Sequence, residues 1–334
     1  MNILGLSCYY HDSAACLVRD GIVAAAIEEE RLTRKKHDSS FPLNAIRHCL
    51  AEQGLSGGDL DAVAFYEKPL SKLERALMTS GDLAAWNIDH FISASARLEE
   101  TIAEAIGYDR GLLYLEHHLS HAAAAFYPSP FEDAAILTVD GVGEWATTAI
   151  FAGQGGRIDQ RSEIRYPDSL GLLYSAMTAF LGFEVNEGEY KLMGLASYGR
   201  PRHTALFERV IRLHPDGSFR LSPEFFSYAH HRDGMFTPAL ADLLGMAPRQ
   251  PHEAIGQRHM DMAASIQAVL EQALLNLAGA ARRITGARNL CMAGGVAHNV
   301  VANAAIRDSG LFEGLFIQPA AGDSGGALGA ALYA

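Results

Sequence analysis

Two histidines four residues apart, His117 and His121 in Glu116-His117-His118-Leu119-Ser120-His121, are the residues whose types and spacing call most directly for chemistry. The alanine run 122–125 that follows favours helix, so both imidazoles project from one helical face and one cation can touch both. A helix that merely buries two rings would read the same way, so the metal reading needs carboxylates. Asp140, at the end of an apolar strand, and Asp323, beside the glycines of the last strand, supply them. Two imidazoles and two carboxylates without a thiolate suit iron(II), manganese or zinc. The spacing is not H-E-x-x-H, so peptidase chemistry is unsupported. His118 falls one position off the face and is expected to support the site or to touch substrate.

Three further segments carry candidate chemistry. Gly294-Gly295 passes from a strand into a helix and offers backbone amides to a phosphate at the helix's positive end, although tight strand-to-helix packing also demands small residues. Gly322-Asp323-Ser324-Gly325-Gly326 is a second such corner, and two corners converging on one crevice favour a nucleotide. Glu187, Gly188 and Lys191, in Asn186-Glu187-Gly188-Glu189-Tyr190-Lys191, combine charge and flexibility in a way suited to a ribose and its phosphate; a solvated loop would share that composition. His11, among Tyr9, Tyr10 and Asp12, could accept a proton from an attacking hydroxyl, or be a satisfied buried ring. Lys36, in Arg34-Lys35-Lys36-His37-Asp38, could neutralise an acyl-phosphate donor, or belong to a solvated charge run.

The elements that must position these groups are duplicated. Residues 3–27 lie over residues 136–160 without a gap, each reading as strand, tight turn, strand, turn, strand. In that register Ser7 matches Asp140 and His11 matches Glu144. Helical periodicity follows each copy, over 42–53 and 98–106 and then over 169–181 and 260–284. Strands followed by glycine turns and helices recur at 289–299 and 316–323. The expectation is an α/β, duplicated ribonuclease-H-like fold of the actin, heat-shock-chaperone and sugar-kinase type, with two mixed sheets flanked by helices around a nucleotide cleft. The first subdomain is expected over 1–132 and the second over 133–334, with an insertion at about 201–259, a stretch rich in Arg, His and Pro.

Length and composition agree: 334 residues with 49% hydrophobic and 20% charged side chains can bury a substantial core. A formal charge of -12 argues against a nucleic-acid footprint. Four scattered cysteines without a CxxC pair fit a reducing compartment, and the N-terminus reads as a first strand, so a cytoplasmic protein is expected. No stretch is long and apolar enough to span a membrane.

Taken together, several segments resemble the N-terminal domain of the O-carbamoyltransferases that modify nodulation factors, aminoglycosides and cephamycins. They are Tyr9-Tyr10-His11-Asp12-Ser13, residues 28–38, His117-His118-Leu119-Ser120-His121, Asp140-Gly141-Val142-Gly143-Glu144, residues 188–196, Gly294-Gly295-Val296-Ala297-His298-Asn299 and Pro319-Ala320-Ala321-Gly322-Asp323. The enzyme that attaches threonylcarbamoyl to tRNA adenosine is similar in the same domain, but the acidic charge disfavours tRNA. The resemblance implies transfer of carbamoyl from ATP-derived carbamoyladenylate to a hydroxyl of a small natural-product or sugar acceptor. It implies His11 as base, Lys36 as donor contact, and His117, His121, Asp140 and Asp323 as ligands to Fe(II) or a similar ion. Gly143, Glu187, Gly188, Lys191, Gly294, Gly295, Asn299 and Gly322 would contact the nucleotide. The acceptor would be set by loops such as 66–87 and the insertion containing His230-His231-Arg232. Family members continue into an adenylate-forming domain of the YrdC type, absent from this chain, which stops inside a helix. An excised domain, a split enzyme with a separate partner chain, or loss of the first reaction is expected, and a homodimer is compatible. His298 stands where the family usually has an apolar residue, without an assigned role.

Overall fold

A computed structural model describes residues 1–79, 84–228 and 234–334. The segment His230-His231-Arg232 lies outside the described residues. The first sheet contains β1 (Asn2–Ser7), β2 (Ala14–Arg19), β3 (Ile22–Glu28), β4 (Ala62–Phe65) and β5 (Leu113–Tyr114), in the order β3-β2-β1-β4-β5. The second contains β6 (Asp133–Val139), β7 (Ala146–Gln154), β8 (Arg157–Arg165), β11 (Asn289–Ala293) and β12 (Gly314–Ile317), in the order β12-β11-β6-β7-β8. A two-stranded ribbon of β9 (Ile211–Leu213) and β10 (Phe219–Leu221) lies between β8 and β11 in sequence.

The sheets repeat one topology. β1 pairs antiparallel with β2 and parallel with β4, and β6 pairs antiparallel with β7 and parallel with β11. Both central strands are buried along nearly their whole length, as an apolar run flanked by neighbours on both sides requires. The second hairpin is the longer, so the ungapped register drifts: Asp20-Gly21 turns the first hairpin and Gly155-Gly156 turns the second, two residues beyond the matched position. All four turn residues have φ between 50° and 85°, the left-handed pair that a two-residue hairpin turn demands.

The expected helices are present at Leu43–Glu52, Leu98–Ile106, Leu170–Phe180 and Gln257–Thr285. Ser169 caps the third by accepting from Leu172 N, which accounts for its sharp start. The stretch 201–259 folds back under the long helix Gln257–Thr285, where Phe207, Val210, Phe219, Phe225 and Leu240 join the largest apolar core.

Two helices exchange sheets, and this exchange builds the cleft floor. His117–Phe126, which ends the first copy, packs Ala122, Ala125 and Phe126 against β6, β7 and β11. Ser324–Tyr333, at the end of the second copy, packs Ala327 and Ala331 against β1 and β2. The two helices also touch each other so closely that a Cβ on Gly329 would lie 1.8 Å from Ser120 O. A Cβ on Gly5 would lie 1.9 Å from Ala327 O, so the sequence Ser-Gly-Gly-Ala-Leu-Gly-Ala-Ala is small because backbone meets backbone on both sides.

Candidate metal centre and its surroundings

The exchange brings four side chains from three elements to one point. His117 and His121 stand one turn apart on the helix His117–Phe126, Asp140 follows β6, and Asp323 precedes the helix Ser324–Tyr333. His117 Nε2 lies 2.8 Å from Asp140 Oδ2 and 3.0 Å from His121 Nε2. Asp323 Oδ1 lies 3.6 Å from His117 Nε2 and 3.5 Å from His121 Nε2. One donor atom from each residue falls within 4.8 Å of the others. Both histidines and Asp323 are 2% exposed or less, while Asp140 keeps an edge toward the cleft.

The donor set fits a divalent cation. Two imidazole Nε2 atoms pointing at each other can share only one proton, and Asp323 Oδ2 is buried with no hydrogen-bond partner among the described residues. Polar atoms are rarely buried unsatisfied without a functional reason. Two nitrogens and two carboxylate oxygens, with no thiolate, match the hard-to-borderline divalent ions. Asp12, Glu30 and His37 also bring three donors together, with both carboxylates already engaged: His37 Nδ1 lies 2.7 Å from Asp12 Oδ1 and His37 N donates to Glu30 Oε2 at 2.8 Å, while His37 Nε2 is buried with no hydrogen-bond partner among the described residues.

The charges report the same convergence. Burial opposes protonation of His121, but hydrogen bonding to Asp140 and Asp323 outweighs it and raises its pKa to about 9. His117 is raised as well, against burial, chiefly by Asp323. Asp140 lies well below the usual carboxylate range because the two imidazoles outweigh its burial. His118 behaves oppositely. Burial and its two cationic neighbours push it down to about 3, and it serves as a strut: Nε2 lies 3.0 Å from Ala146 O and Nδ1 2.7 Å from Thr138 Oγ1.

Glu144 holds the ligand helix from across the sheet. Its Oε1 accepts from His117 N at 3.0 Å and from Lys68 N at 2.8 Å, a carboxylate at the helix's positive end. Gly143 beside it is small because a Cβ would lie 2.9 Å from that of His117. The copy register had flagged Glu144 as the counterpart of His11, but nothing local in the sequence shows that it caps a helix 27 residues earlier.

The glycine corners sit at the same floor. Gly294, with φ 93°, crosses Val139 so closely that a Cβ would lie 2.2 Å from its carbonyl, and Gly295 N donates to Asp140 Oδ1 at 3.0 Å. Gly322 N donates to His298 Nε2 at 3.0 Å, which gives His298 a place between the two corners. Asn299 caps the helix Val300–Asp308 by accepting from Ala302 N at 3.0 Å and exchanges two 2.9 Å amide hydrogen bonds with Gln267, so its side chain is engaged in packing. Gly188 precedes the helix Glu189–Ala196, Lys191 stands exposed with Nζ 5.7 Å from the Tyr190 ring centre, and Glu187 reaches across the cleft to Lys36 at 3.3 Å.

His11 faces these four candidate ligands. Its Nε2 lies 3.8 Å from Asp323 Oδ2, and its Nδ1 2.9 Å from Asp12 Oδ2. Burial disfavours its charge, but Asp323 and Asp12 outweigh that and raise its pKa to about 9, while Asp12 is held down near 2 by the imidazoles despite its own burial. Lys36 is more than half exposed and sits further out, at the rim.

A family model described as Carbamoyltransferase N-terminus matches residues 2–332. An uncharacterized protein of Synechocystis is 50% identical over 99% of the chain and 56% of its own length. The nodulation protein NolNO of Sinorhizobium fredii is 38% identical over 97% of the chain and 46% of its own length. The chain thus spans about half the length of these relatives. Among solved structures, component A of (R)-2-hydroxyglutaryl-CoA dehydratase from Acidaminococcus fermentans superposes with a TM-score of 0.56 at 15% identity, over 100% of this chain and 97% of that one. The activator of 2-hydroxyisocaproyl-CoA dehydratase from Clostridium difficile, with bound ADPNP, superposes at 0.51 and 16% identity, over 100% and 94%. These likenesses establish the actin-type duplicated fold.

Proposed function

Because this chain belongs to the carbamoyltransferase N-terminus family, we propose that it carries the carbamoyl-transfer site, moving carbamoyl from carbamoyladenylate to a hydroxyl of a small natural-product or sugar acceptor. The observation that carries the reading is the convergence of His117, His121, Asp140 and Asp323 within 4.8 Å, with His11 facing them across 3.8 Å. In the transfer, the acceptor oxygen forms a bond to the carbamoyl carbon, the bond from that carbon to the phosphate oxygen breaks, and AMP leaves.

His117, His121, Asp140 and Asp323 would hold a divalent cation, iron(II) or manganese or zinc; when bound, such a cation supplies Lewis-acid polarisation of an acyl or phosphoryl oxygen. His11, whose Nε2 faces these four residues across 3.8 Å from Asp323 Oδ2, would take the acceptor's hydroxyl proton. The glycine corners at Gly294-Gly295 and Gly322 pack backbone against Val139, Asp140 and His298 at the same floor, over which the adenylate would lie. Lys36, tied to Glu187 at the rim, would meet an anionic phosphate arriving from solvent. Relatives about twice as long support a donor made by an adenylate-forming domain or partner chain outside these residues.

The test supplies purified chain with synthetic carbamoyladenylate, a panel of hydroxylated acceptors and iron(II) or manganese(II). Metal-dependent AMP release and carbamoylated product are expected, with loss in His117→Ala/His121→Ala. Equal product from that variant and the parent would defeat the reading.

A further inference from the structure

The loop carrying His11 is held in a conformation that ordinary side chains avoid. Tyr9 has φ 73° and Asp12 φ 52°, and His37, on the segment packed against it, also has φ 52°. Left-handed residues other than glycine cost about 1–3 kcal/mol at such positions and persist where surrounding contacts over-determine them. Here the two segments are zipped together. Tyr9 N donates to Ser39 O at 2.9 Å and Ser13 N to Asp38 O at 2.8 Å, while Glu30 accepts from His37 N.

The product of this clamp is one carboxylate shared by two imidazoles. Asp12 Oδ2 lies 2.9 Å from His11 Nδ1, and Asp12 Oδ1 lies 2.7 Å from His37 Nδ1. An ionised carboxylate can only accept, so both Nδ1 atoms must carry protons. In the neutral His11 ring the lone pair is then on Nε2, the atom turned toward Asp323 Oδ2 at 3.8 Å. That separation is beyond a hydrogen bond, and Asp323 Oδ2 is buried with no hydrogen-bond partner among the described residues.

We propose that Asp12 is a positioning residue that selects the Nδ1–H tautomer of His11, and that His37 holds the second oxygen of Asp12 so that the carboxylate cannot turn away. This rests on the reading of His11 as the base. The opposite tautomer would place a proton on Nε2, where the acceptor's proton has to arrive, and the ring could not act. A carboxylate with one imidazole donor can swing about its own side-chain bonds. With a donor on each oxygen its plane is fixed, and the strained φ values of Asp12 and His37 are what bring both donors into line. The arrangement also explains why His37 adjoins Lys36: Glu187, which meets Lys36 at 3.3 Å, lies 3.8 Å from His37 Nε2, so one residue of the opposite loop borders both.

The test reads tautomers directly, by nitrogen NMR of the chain with ¹⁵N-labelled histidine, assigned by single His replacements. Spectra are followed to the alkaline limit of a pH titration, metal-free and with zinc(II) added. In the parent, neutral His11 and His37 are both expected as Nδ1–H. In Asp12→Asn, whose amide can accept from only one ring, at least one of the two should change to Nε2–H. Zinc uptake should be retained, since Asp12 is not among the four candidate ligands. Where transfer is measured, Asp12→Asn should lower kcat by about 10²–10⁴ with acceptor KM nearly unchanged, and His37→Asn should act in the same direction but less. A neutral His11 bearing its proton on Nε2 in the parent would overturn the proposal, as would an Asp12→Asn spectrum with both rings unchanged. If Asp12→Asn does not fold, the parent's own tautomer decides. Because the spectrum reports the ring and not turnover, the tautomer can fail while carbamoyl transfer stands, and the reverse.

Discussion

A single methyl group at Gly329, which touches none of the four candidate ligands, should loosen the metal site. The helix Ser324–Tyr333 meets Ser120 O at a point where a Cβ would sit at 1.8 Å, against backbone that cannot rotate out of the way. In Gly329→Ala the helices must part by roughly 1.5–2 Å to restore ordinary contact. Ala gains about 1 kcal/mol of helix propensity over Gly. Overpacking costs about 1–3 kcal/mol, and a collision with backbone belongs at the upper end. The net is a loss of about 1–2 kcal/mol, or a fall in Tm of a few degrees. Asp323 sits at the N-terminus of that helix, so the same displacement carries its carboxylate away from His117 and His121. Affinity for manganese or zinc should drop about 10–100-fold, as it does when groups that orient ligands are disturbed. Gly194→Ala is the matched control. It makes the same change inside the helix Glu189–Ala196, where a Cβ meets nothing within 4 Å, and should raise stability by up to about 1 kcal/mol and leave metal affinity unchanged. Thermal melts and calorimetric metal titrations of the pair decide the matter. If Gly329→Ala matched Gly194→Ala in both readouts, the claimed backbone contact between the two helices would be wrong.

Glu144→Ala should cost about 1–2 kcal/mol and weaken metal binding, because it strips the acceptor from His117 N at the start of the ligand helix; urea titration with and without metal measures both effects. Metal affinity should climb with pH: His121, raised to about 9 without metal, must lose its proton to ligate, so affinity rises by about tenfold per pH unit per proton and levels off near 9. Calorimetry in buffers of different ionisation enthalpy would count that proton, and pH-independent affinity would remove the argument. His118 acts with the other sign. Its folded value near 3 lies below the unfolded value of about 6.5, so its contribution to stability is complete above 6.5 and is lost as pH falls toward 3. His118→Asn should be less stable at neutral pH yet lose less on mild acidification, and parallel curves for variant and parent would contradict this.

Much of the site was legible because it is written in short-range patterns. The four-residue spacing of His117 and His121 before an alanine run fixes one helical face, and the hairpins at Asp20-Gly21 and Gly155-Gly156 announce themselves by their turn residues. The ungapped overlay of the two copies exposed the duplicated topology, since strand order repeats when the local patterns repeat. Other residues carried a local signal that did not settle their contacts. Asn299 reads as a nucleotide contact beside a glycine corner, but its side chain is spent on Gln267, 32 residues away, and on a helix cap. His118 differs from its neighbours only in pointing at β6 and β7 instead of the cleft, and an alternation of one residue cannot say which face a sheet will cover.

The sequence by itself determined which residues had the chemistry to bind a cation, which strands were copies of one another, and where backbone had to be glycine. Periodicity, turn preference and donor type are local properties, and a chain carries them whether or not it is folded. Only the tertiary structure decided that the helix bearing His117 packs on the second sheet and the helix behind Asp323 on the first. That exchange joins residues two hundred positions apart. It depends on how two backbones approach at Gly329 and Gly5, where the deciding quantity is a distance between elements, and no spacing along the chain contains it.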